Sequence, residues 1–390
     1  MFSLLLAIIY IAFISLGLPD SLLGSAWPIM QNQLDVPLSY AGIITMIISA
    51  STIASALFSD KVIHKLGTGL VTAISVGMTA AALLGFSYAP NFGLLCLLAI
   101  PYGLGAGAVD AALNNYVALH YSSRQMSWLH AFWGLGVTIS PYIMSFCLTR
   151  DLGWEMGYRS VSAIQAVLTA GLFLTLPLWR KAAKQGAVQE EVAPKALSIP
   201  QILKIKGAPC VLIAFLCYCA AEATAGLWAS SFLVGARGVD AETAARFAAL
   251  FYIGITAGRV LNGFVADRFG DRAMIRTGIL TMLAGVILAV LPLQSDLPAL
   301  AGLIIIGLGA APVYPCIIHS TPVNFGEENS QSMVGIQMAC AYTGSTLMPP
   351  LFGLIAQYIH IGLYPVFLGV FVVLTLFMTE RLNRTIKASA

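Results

Sequence analysis

Charged side chains are scarce in this chain. Asp, Glu, Lys and Arg together make up 9% of the 390 residues, whereas roughly 25% is usual in a soluble domain. Hydrophobic residues make up 58%. So little charge excludes an ordinary water-soluble globular protein, and it predicts a protein that lies within a membrane.

The sequence also lacks the motifs of several other protein classes. No glycine-rich loop ends in Lys-Ser or Lys-Thr, no histidine pair has zinc-binding spacing, and no basic stripe suits nucleic acid. The seven cysteines all fall within apolar runs and form no disulfide or metal pattern. No nucleophile elbow is present. We therefore expect no enzyme, no metal, no bound cofactor and no nucleic-acid partner.

Apolar runs recur along the whole chain. A helix of about 20 apolar residues crosses roughly 30 Å of hydrocarbon. Twelve such spans are predicted, near 3–30, 38–59, 67–88, 92–118, 127–149, 158–179, 209–235, 244–266, 273–294, 298–322, 332–358 and 362–379. The predicted fold class is an all-α membrane protein with twelve transmembrane helices.

Lysine and arginine are unevenly divided between the predicted loops. Of the 20, fifteen lie on the side that holds both termini, four lie on the opposite side and Arg259 lies within a span. The positive-inside rule then predicts a plasma-membrane protein with both termini in the cytoplasm. The polar stretch 180–208 is predicted to be a cytoplasmic linker between two six-helix bundles, residues 1–179 and 209–390.

The two predicted bundles contain matching landmarks. The acids Asp20 and Glu222 are 202 residues apart, and the loop acids Asp60 and Asp267 are 207 apart. Two further pairs of segments match, 103–110 with 307–314 at an offset of 204 and 134–141 with 342–349 at an offset of 208. Because each copy has an even number of spans, the copies share one orientation. A parallel repeat with a central cavity is predicted.

Several motifs resemble the major facilitator superfamily. The segment GFVADRFGDR, 263–272, is similar to the superfamily's G-x-x-x-D-R-x-G-R loop signature. The segments GAVDAALNNYV, WLHAFWGLGVTISP and CYCAAEATAGLW resemble its fucose-galactose-glucose proton symporter family, including the sodium-dependent glucose branch. The resemblance implies a twelve-helix sugar carrier. It also implies that acids in spans 1 and 4, here Asp20 and Asp110, serve proton coupling and sugar recognition.

Four charged residues lie deep within the predicted spans: Asp20, Asp110, Glu222 and Arg259. A charge at mid-membrane costs at least about 2.5 to 3.5 kcal/mol on insertion scales, so function is the default interpretation. A carboxylate whose access to water alternates can carry a proton across. We expect Asp20 and Asp110 to be the coupling residues, and a structural salt bridge or helix–helix hydrogen bond is the alternative. The coupling ion is predicted to be a proton, with sodium left open.

The predicted substrate-binding residues combine amide, acid and aromatic groups. Asn114 follows Asp110 by four residues, so both project from one face of span 4. An acceptor beside an amide suits a sugar hydroxyl, which both donates and accepts. The other predicted members are Trp133 and Trp228 as aromatic platforms or interfacial anchors, with Glu222, Tyr314 and His130 as hydrogen-bonding or structural residues.

A separate set of charged residues is predicted to control conformation. Asp60, Asp267, Arg268 and Arg272 belong to loops, where ion pairs across helix ends can form and break. Arg259 is assigned to the same set, with two alternatives: pairing with an acid in the cavity or reaching the cytoplasmic interface.

We therefore predict a monomeric carrier, embedded in lipid, that imports a monosaccharide by alternating access. Two other functions stay open at this point. One is export of drugs or metabolites by proton antiport, although span 5 departs from the G-x-x-x-G-P-x-x-G-G pattern of such exporters. The other is a non-transporting membrane receptor with a carrier fold.

Overall fold

Every regular element in the described part of the chain is helical. The computed structural model describes residues 2–37, 40–186, 197–239, 241–291 and 295–387. In hydrocarbon a helix satisfies its own backbone polar groups, so long apolar runs fold as helices. The helices are α1 (Phe2–Gly17), α2 (Leu22–Gln33), α3 (Tyr40–Leu66), α4 (Thr68–Phe86), α5 (Phe92–His120), α6 (Ser123–Thr149), α7 (Gly153–Gly186), α8 (Ile199–Leu203), α9 (Ala208–Arg237), α10 (Ala241–Phe269), α11 (Asp271–Val290), α12 (Leu297–Ala310), α13 (Val313–His319), α14 (Thr321–Phe325), α15 (Glu327–Ile355) and α16 (Tyr364–Lys387).

The twelve predicted spans all correspond to helices. Two of them consist of two helices in tandem, α1 with α2 and α12 with α13. Ten stretches of the described residues are long and apolar enough to cross a membrane, and the last of these contains both α15 and α16. The remaining span is α10, a helix of 29 residues that carries several charges and is not among the ten. The predicted all-α, twelve-span class is confirmed.

The first span is interrupted at Pro19 and Asp20. α1 ends at Gly17 and α2 begins at Leu22. Across the break, the backbone N–H groups of Asp20 and Leu22 donate to the carbonyls of Gly17 and Pro19 at 3.3 and 3.2 Å. Proline has no N–H to continue the helical ladder, which accounts for the break at this position. A carboxylate is thereby placed at a helix interruption rather than along a helix.

Two one-residue connections match between the halves of the chain. Gly67 joins α3 to α4, and Gly270 joins α10 to α11. Both glycines have φ near +78°. This conformation costs glycine little because it has no β carbon. The glycine of the loop signature is therefore explained by the backbone of the turn.

Two close helix contacts also match between the halves. A β carbon built on Gly136 of α6 would lie 2.1 Å from the Ile14 carbonyl oxygen of α1. One built on Gly344 of α15 would lie 2.4 Å from the Leu216 carbonyl oxygen of α9. Such contacts suit lipid, where van der Waals packing replaces the hydrophobic effect. The predicted parallel repeat is therefore present in the backbone packing as well as in the sequence.

The described residues form two compact units. The first contains α1 to α4, α5 up to Tyr116, α6 from Leu129 and α7, and the second contains residues 117–128 with α8 to α16. The predicted linker 180–208 lies partly outside the described residues, and the predicted bundle boundaries stay a prediction.

Gly136→Ala should destabilise the protein, because the added methyl group would overlap a backbone carbonyl of α1. Overpacking of this kind costs about 1 to 3 kcal/mol. We expect a lower Tm in detergent, and the same for Gly344→Ala. The control is Gly171→Ala on α7, where a β carbon would have no atom within 4 Å. An equal loss of Tm in the control would show that overlap with the backbone carbonyl is not the cause of the destabilisation.

Candidate functional site

Asp20 lies beside two neutral hydrogen-bond donors in the first unit. The Tyr102 hydroxyl on α5 donates to Oδ1 at 3.1 Å. The Trp133 indole Nε1 on α6 donates to Oδ2 at 3.0 Å. The Asp20 side chain is nevertheless exposed, although it lies in the middle of an apolar span. We call Asp20, Tyr102 and Trp133 the Asp20 group.

The break in the first span is held against α6 by small residues. A β carbon on Gly17 would lie 2.2 Å from the Trp133 carbonyl oxygen, so the two backbones touch there. One turn further, the Ser21 hydroxyl donates to the Val137 carbonyl at 2.7 Å and lies 2.7 Å from Ser140 Oγ. These contacts position the carboxylate of Asp20, the residue before Ser21, beside the indole.

Asp110, Asn114 and His130 form a buried hydrogen-bonded chain between α5 and α6. Asn114 Nδ2 donates to Asp110 Oδ1 at 2.8 Å, as the four-residue spacing predicts. His130 Nε2 lies 3.0 Å from Asn114 Oδ1. Because that amide oxygen only accepts, Nε2 is the donor in this assigned amide orientation. Phe13 packs edge-on against the imidazole, with ring centroids 5.6 Å apart.

The Asp20 group and the buried Asp110 chain are close to each other. Asp110 is near enough to Asp20 for the two carboxylates to interact electrostatically. On α6, Trp133 follows His130 by three residues, which places the two side chains on one side of the helix. The structure thus brings five predicted residues together in the first unit: Asp20, Asp110, Asn114, His130 and Trp133.

Glu222 and Arg259 form an ion pair in the second unit. Arg259 Nη2 donates to Glu222 Oε1 at 3.2 Å, and the two side chains are 5% and 21% exposed. Of the two predicted alternatives for Arg259, the structure has the one that pairs it with an acid. A buried guanidinium without such a partner would be costly. Glu222 thus occupies the repeat position of Asp20, but unlike Asp20 it forms an ion pair with a cation.

Trp228 and Tyr314 have other partners in the second unit. The Trp228 indole N–H donates to the Pro349 carbonyl at 2.9 Å, and its ring packs edge-on against Phe352. The Tyr314 hydroxyl donates to the Met338 sulfur at 3.3 Å. Both side chains are half-buried. They remain candidates for substrate contact, and these contacts fix their orientation.

The predicted conformational residues do not lie in loops, because the connecting turns are single glycines and the helices continue through the flanking residues. They lie near helix ends, with Asp60 in α3, Asp267 and Arg268 in α10, and Arg272 in α11. Asp60 pairs with His64, four residues later on α3, at 3.3 Å. Asp267 accepts from the backbone N–H of Arg124 at 3.1 Å and lies 3.3 Å from its Nε. Arg268 and Arg272 are exposed.

Four polar residues with partners far away in sequence were not predicted: Tyr102 beside Asp20, Arg124 beside Asp267, and the pair Asp271 and His319, which lie 2.7 Å apart. Tyr102 stands in an apolar run, where a tyrosine resembles a core residue. Asp271 lies within the loop signature itself, between Gly270 and Arg272, and is the one acid of that motif that the prediction passed over. Arg124 and His319 have no local pattern that marks them, because their partners are far away in sequence.

Sequence comparisons relate the chain to one protein family and to several curated proteins. A family model described as Major Facilitator Superfamily matches residues 9–248 and 210–387. Membrane protein MosC of Rhizobium meliloti is 24% identical over 351 residues, which cover 88% of this chain and 82% of MosC. The glucose/mannose transporter GlcP of Bacillus subtilis is 22% identical over 316 residues, covering 78% and 77%.

Solved structures share the fold at low identity. The E. coli fucose:proton symporter FucP has a TM-score of 0.74 at 15% identity, covering 97% of both chains. The proton:xylose symporter XylE has a TM-score of 0.78 at 12% identity, covering 95% of this chain and 94% of XylE. The human organic anion transporter MFSD10 has a TM-score of 0.73 at 14% identity, covering 97% and 98%. Identities this low show the fold and leave the substrate open.

Glu222→Gln should destabilise the protein strongly, because it leaves the Arg259 charge buried without its carboxylate. Breaking a buried pair costs about 3 to 5 kcal/mol. The double variant with Arg259→Met should recover most of that loss. Unfolding of all variants is followed by Tm and, where reversible, by denaturant titration.

The matched control is the exposed pair Arg276–Glu380, whose two hydrogen bonds are both 2.6 Å. Arg276→Met should change stability much less, because exposed ion pairs are screened by water. Equal losses for Arg276→Met and Glu222→Gln, or no recovery in the double variant, would show that the Glu222–Arg259 pair is not the source of the effect.

Proposed function

Because the chain belongs to the major facilitator superfamily, whose members are carriers rather than enzymes, we propose that it is a secondary active transporter that couples sugar uptake to a cation. The proposed substrate is a hexose or deoxyhexose, and the proposed cation is a proton rather than sodium. Transport would proceed by alternating access.

The observation that carries this proposal is the Asp20 group. An exposed carboxylate deep in an apolar span is costly unless water or a substrate reaches it. A sugar hydroxyl can donate to Asp20, and the flat indole of Trp133 can pack on the C–H face of a pyranose ring. The other proposed substrate contacts are Asn114, His130, Glu222, Trp228 and Tyr314, with Tyr102 added by the structure.

We assign coupling to Asp20 and Asp110. Asp20 accepts from neutral donors, so it can take up a proton without breaking an ion pair with a cation. Asp110 interacts electrostatically with Asp20, and the repulsion between two carboxylates favours protonation of one of them. Glu222 is less suited to binding a proton because its negative charge is balanced by Arg259. A sodium ion would need several oxygen ligands around it, whereas a proton needs one carboxylate.

The remaining assignments are proposed on the same basis. Asp60, Asp267, Arg268 and Arg272 would control conformation at the helix ends. Both termini would lie in the cytoplasm of a cell with this protein in its plasma membrane, because most lysines and arginines lie in loops on that side. The carrier would act as a monomer in lipid.

The described substrates of the relatives support a sugar as the substrate, but they do not identify which one. GlcP is described as a glucose/mannose transporter, and FucP and XylE as sugar:proton symporters. MFSD10, with nearly the same TM-score, is described as an organic anion transporter. The residues of the Asp20 group favour a neutral polar substrate over an anion, because an anion would meet the Asp20 carboxylate.

Uptake of labelled hexoses into proteoliposomes should test the function directly. We expect accumulation above equilibrium when a proton gradient is imposed, and collapse of that accumulation by an uncoupler. Export by antiport would instead move the compound against the direction of proton flow, and a receptor would bind without transport. No gradient-dependent uptake of any hexose or deoxyhexose would contradict the proposal.

Asp110→Asn should permit exchange of bound sugar and abolish accumulation driven by the proton gradient. The change is nearly isosteric and removes the titratable group. The control is Asp35→Asn, because Asp35 is exposed in a loop and its φ of +50° is one that asparagine also adopts. Wild type and the control should both accumulate sugar. Undiminished accumulation by Asp110→Asn would remove Asp110 from the coupling role.

A further inference from the structure

The connection between α5 and α6 is held within the second unit by a cluster of polar residues. The cluster joins this connection to α11 and α13, through Tyr121 and Ser123 on one side and Asp271 and His319 on the other. We call these four residues the His319 clasp. None of them belongs to the proposed coupling or substrate groups.

His319 lies between two hydrogen-bond acceptors. Its Nδ1 is 2.7 Å from Asp271 Oδ2, and its Nε2 is 2.9 Å from the backbone carbonyl oxygen of Tyr121. A carboxylate and a carbonyl can only accept, so both ring nitrogens must donate if both contacts are hydrogen bonds. Only the doubly protonated imidazolium donates from both nitrogens. A neutral ring would leave one nitrogen lone pair facing an acceptor.

Asp271 connects the imidazole to the other end of the loop. Its second oxygen, Oδ1, accepts a hydrogen bond from the Ser123 hydroxyl. The carboxylate therefore contacts α13 through His319 and the start of α6 through Ser123. Loss of the charge on His319 would weaken one contact directly and would leave Asp271 without its cation.

Other titratable groups among the described residues also lie near His319. Asp267 on α10 acts on it electrostatically, and Asp267 is itself paired with Arg124 at 3.3 Å. Cys316, one turn earlier on α13, is buried and lies 3.8 Å from Ser123 Oγ. The side chains of His319 and Asp271 are 18% and 14% exposed. Partial burial opposes a charge on the ring, while two carboxylates and a carbonyl favour it.

The geometry points to His319 and Asp271 as a proton-binding site, separate from Asp20 and Asp110, whose occupancy holds the α5–α6 connection on α11 and α13. The histidine is the group that titrates in the physiological range. The clasp is intact when the proton is bound, and it weakens as pH rises and the proton leaves. This inference depends on no particular substrate.

The first two turns of α6 are also held by hydrogen bonds between side chains that do not titrate near neutrality and their neighbours. Asn262 Nδ2 donates to Ser127 Oγ at 2.5 Å, and Trp128 Nε1 donates to the Val260 carbonyl at 3.4 Å. The effect of pH is therefore confined to the residues around Tyr121. In that region the Tyr121 N–H donates to the Val117 carbonyl, and the Ser122 N–H donates to Gln125 Oε1.

Hydrogen–deuterium exchange of the full chain in lipid nanodiscs tests the site without any transport assay. Exchange is measured by mass spectrometry between about pH 5 and pH 8, the range over which histidine titrates, and is corrected for the intrinsic pH dependence. A peptide covering residues 117–123 should exchange roughly tenfold faster at the upper end, a ratio equal to about 1.4 kcal/mol. Peptides from α10 and α11 away from the clasp should show no such step.

His319→Gln removes the titrating group and leaves an amide with one donor and one acceptor. In this variant the same peptide should exchange rapidly at every pH, and the tenfold change in exchange rate with pH (the step) should be absent. His120→Gln is the matched control, because His120 is an exposed histidine next to Tyr121, and it should keep the wild-type step. A purely structural His319 would give slower exchange in wild type than in His319→Gln at every pH, with no step. That result, or a step that persists in His319→Gln, overturns the proposal, and if the variant misfolds the wild-type titration alone decides.

Discussion

The structure depends on one constraint: a polar or charged group inside hydrocarbon must have a partner. The second unit satisfies it by pairing Arg259 with Glu222, and the first by linking Asp110 to His130 through Asn114. Hydroxyl groups on the helices donate hydrogen bonds to backbone carbonyls of the preceding turn, as Thr72 does to Thr68. Asp20 also has partners, Tyr102 and Trp133, but it differs from these groups because it is exposed in the middle of a span. An exposed acid at this depth is the reason that we propose entry of water or cargo beside Asp20.

The internal repeat preserves backbone contacts and varies the chemistry placed on them. Gly136 and Gly344 make equivalent approaches to neighbouring helices, and Gly67 and Gly270 form equivalent turns. The acids at matching positions nevertheless differ in their partners: Asp20 has a phenol and an indole, whereas Glu222 has a guanidinium. One copy therefore holds an acid beside two neutral donors, and the other holds an acid whose charge is balanced by a cation.

Features that depend on nearby residues could be predicted from the sequence, and those that depend on distant residues could not. The spans follow from apolar length, the break in the first span follows from Pro19, and the Asp110–Asn114 contact follows from a spacing of four. Tyr102 reaches Asp20 across 82 residues of sequence, and His319 reaches Tyr121 across 198. Such contacts depend on which faces of the helices meet. Residue spacing within one helix does not contain that information.

The close approach of α1 to α6 at Gly136, repeated by α9 and α15 at Gly344, has a mechanical consequence. At these points the helices touch through main-chain atoms, with no interlocking side chains between them. Rotation about such a point requires no exchange of rotamers, whereas sliding along it would drive the bulkier residues of the next turn into a carbonyl. Each glycine is therefore suited to be a pivot, at which the crossing angle of a helix pair can change while its axial position stays fixed.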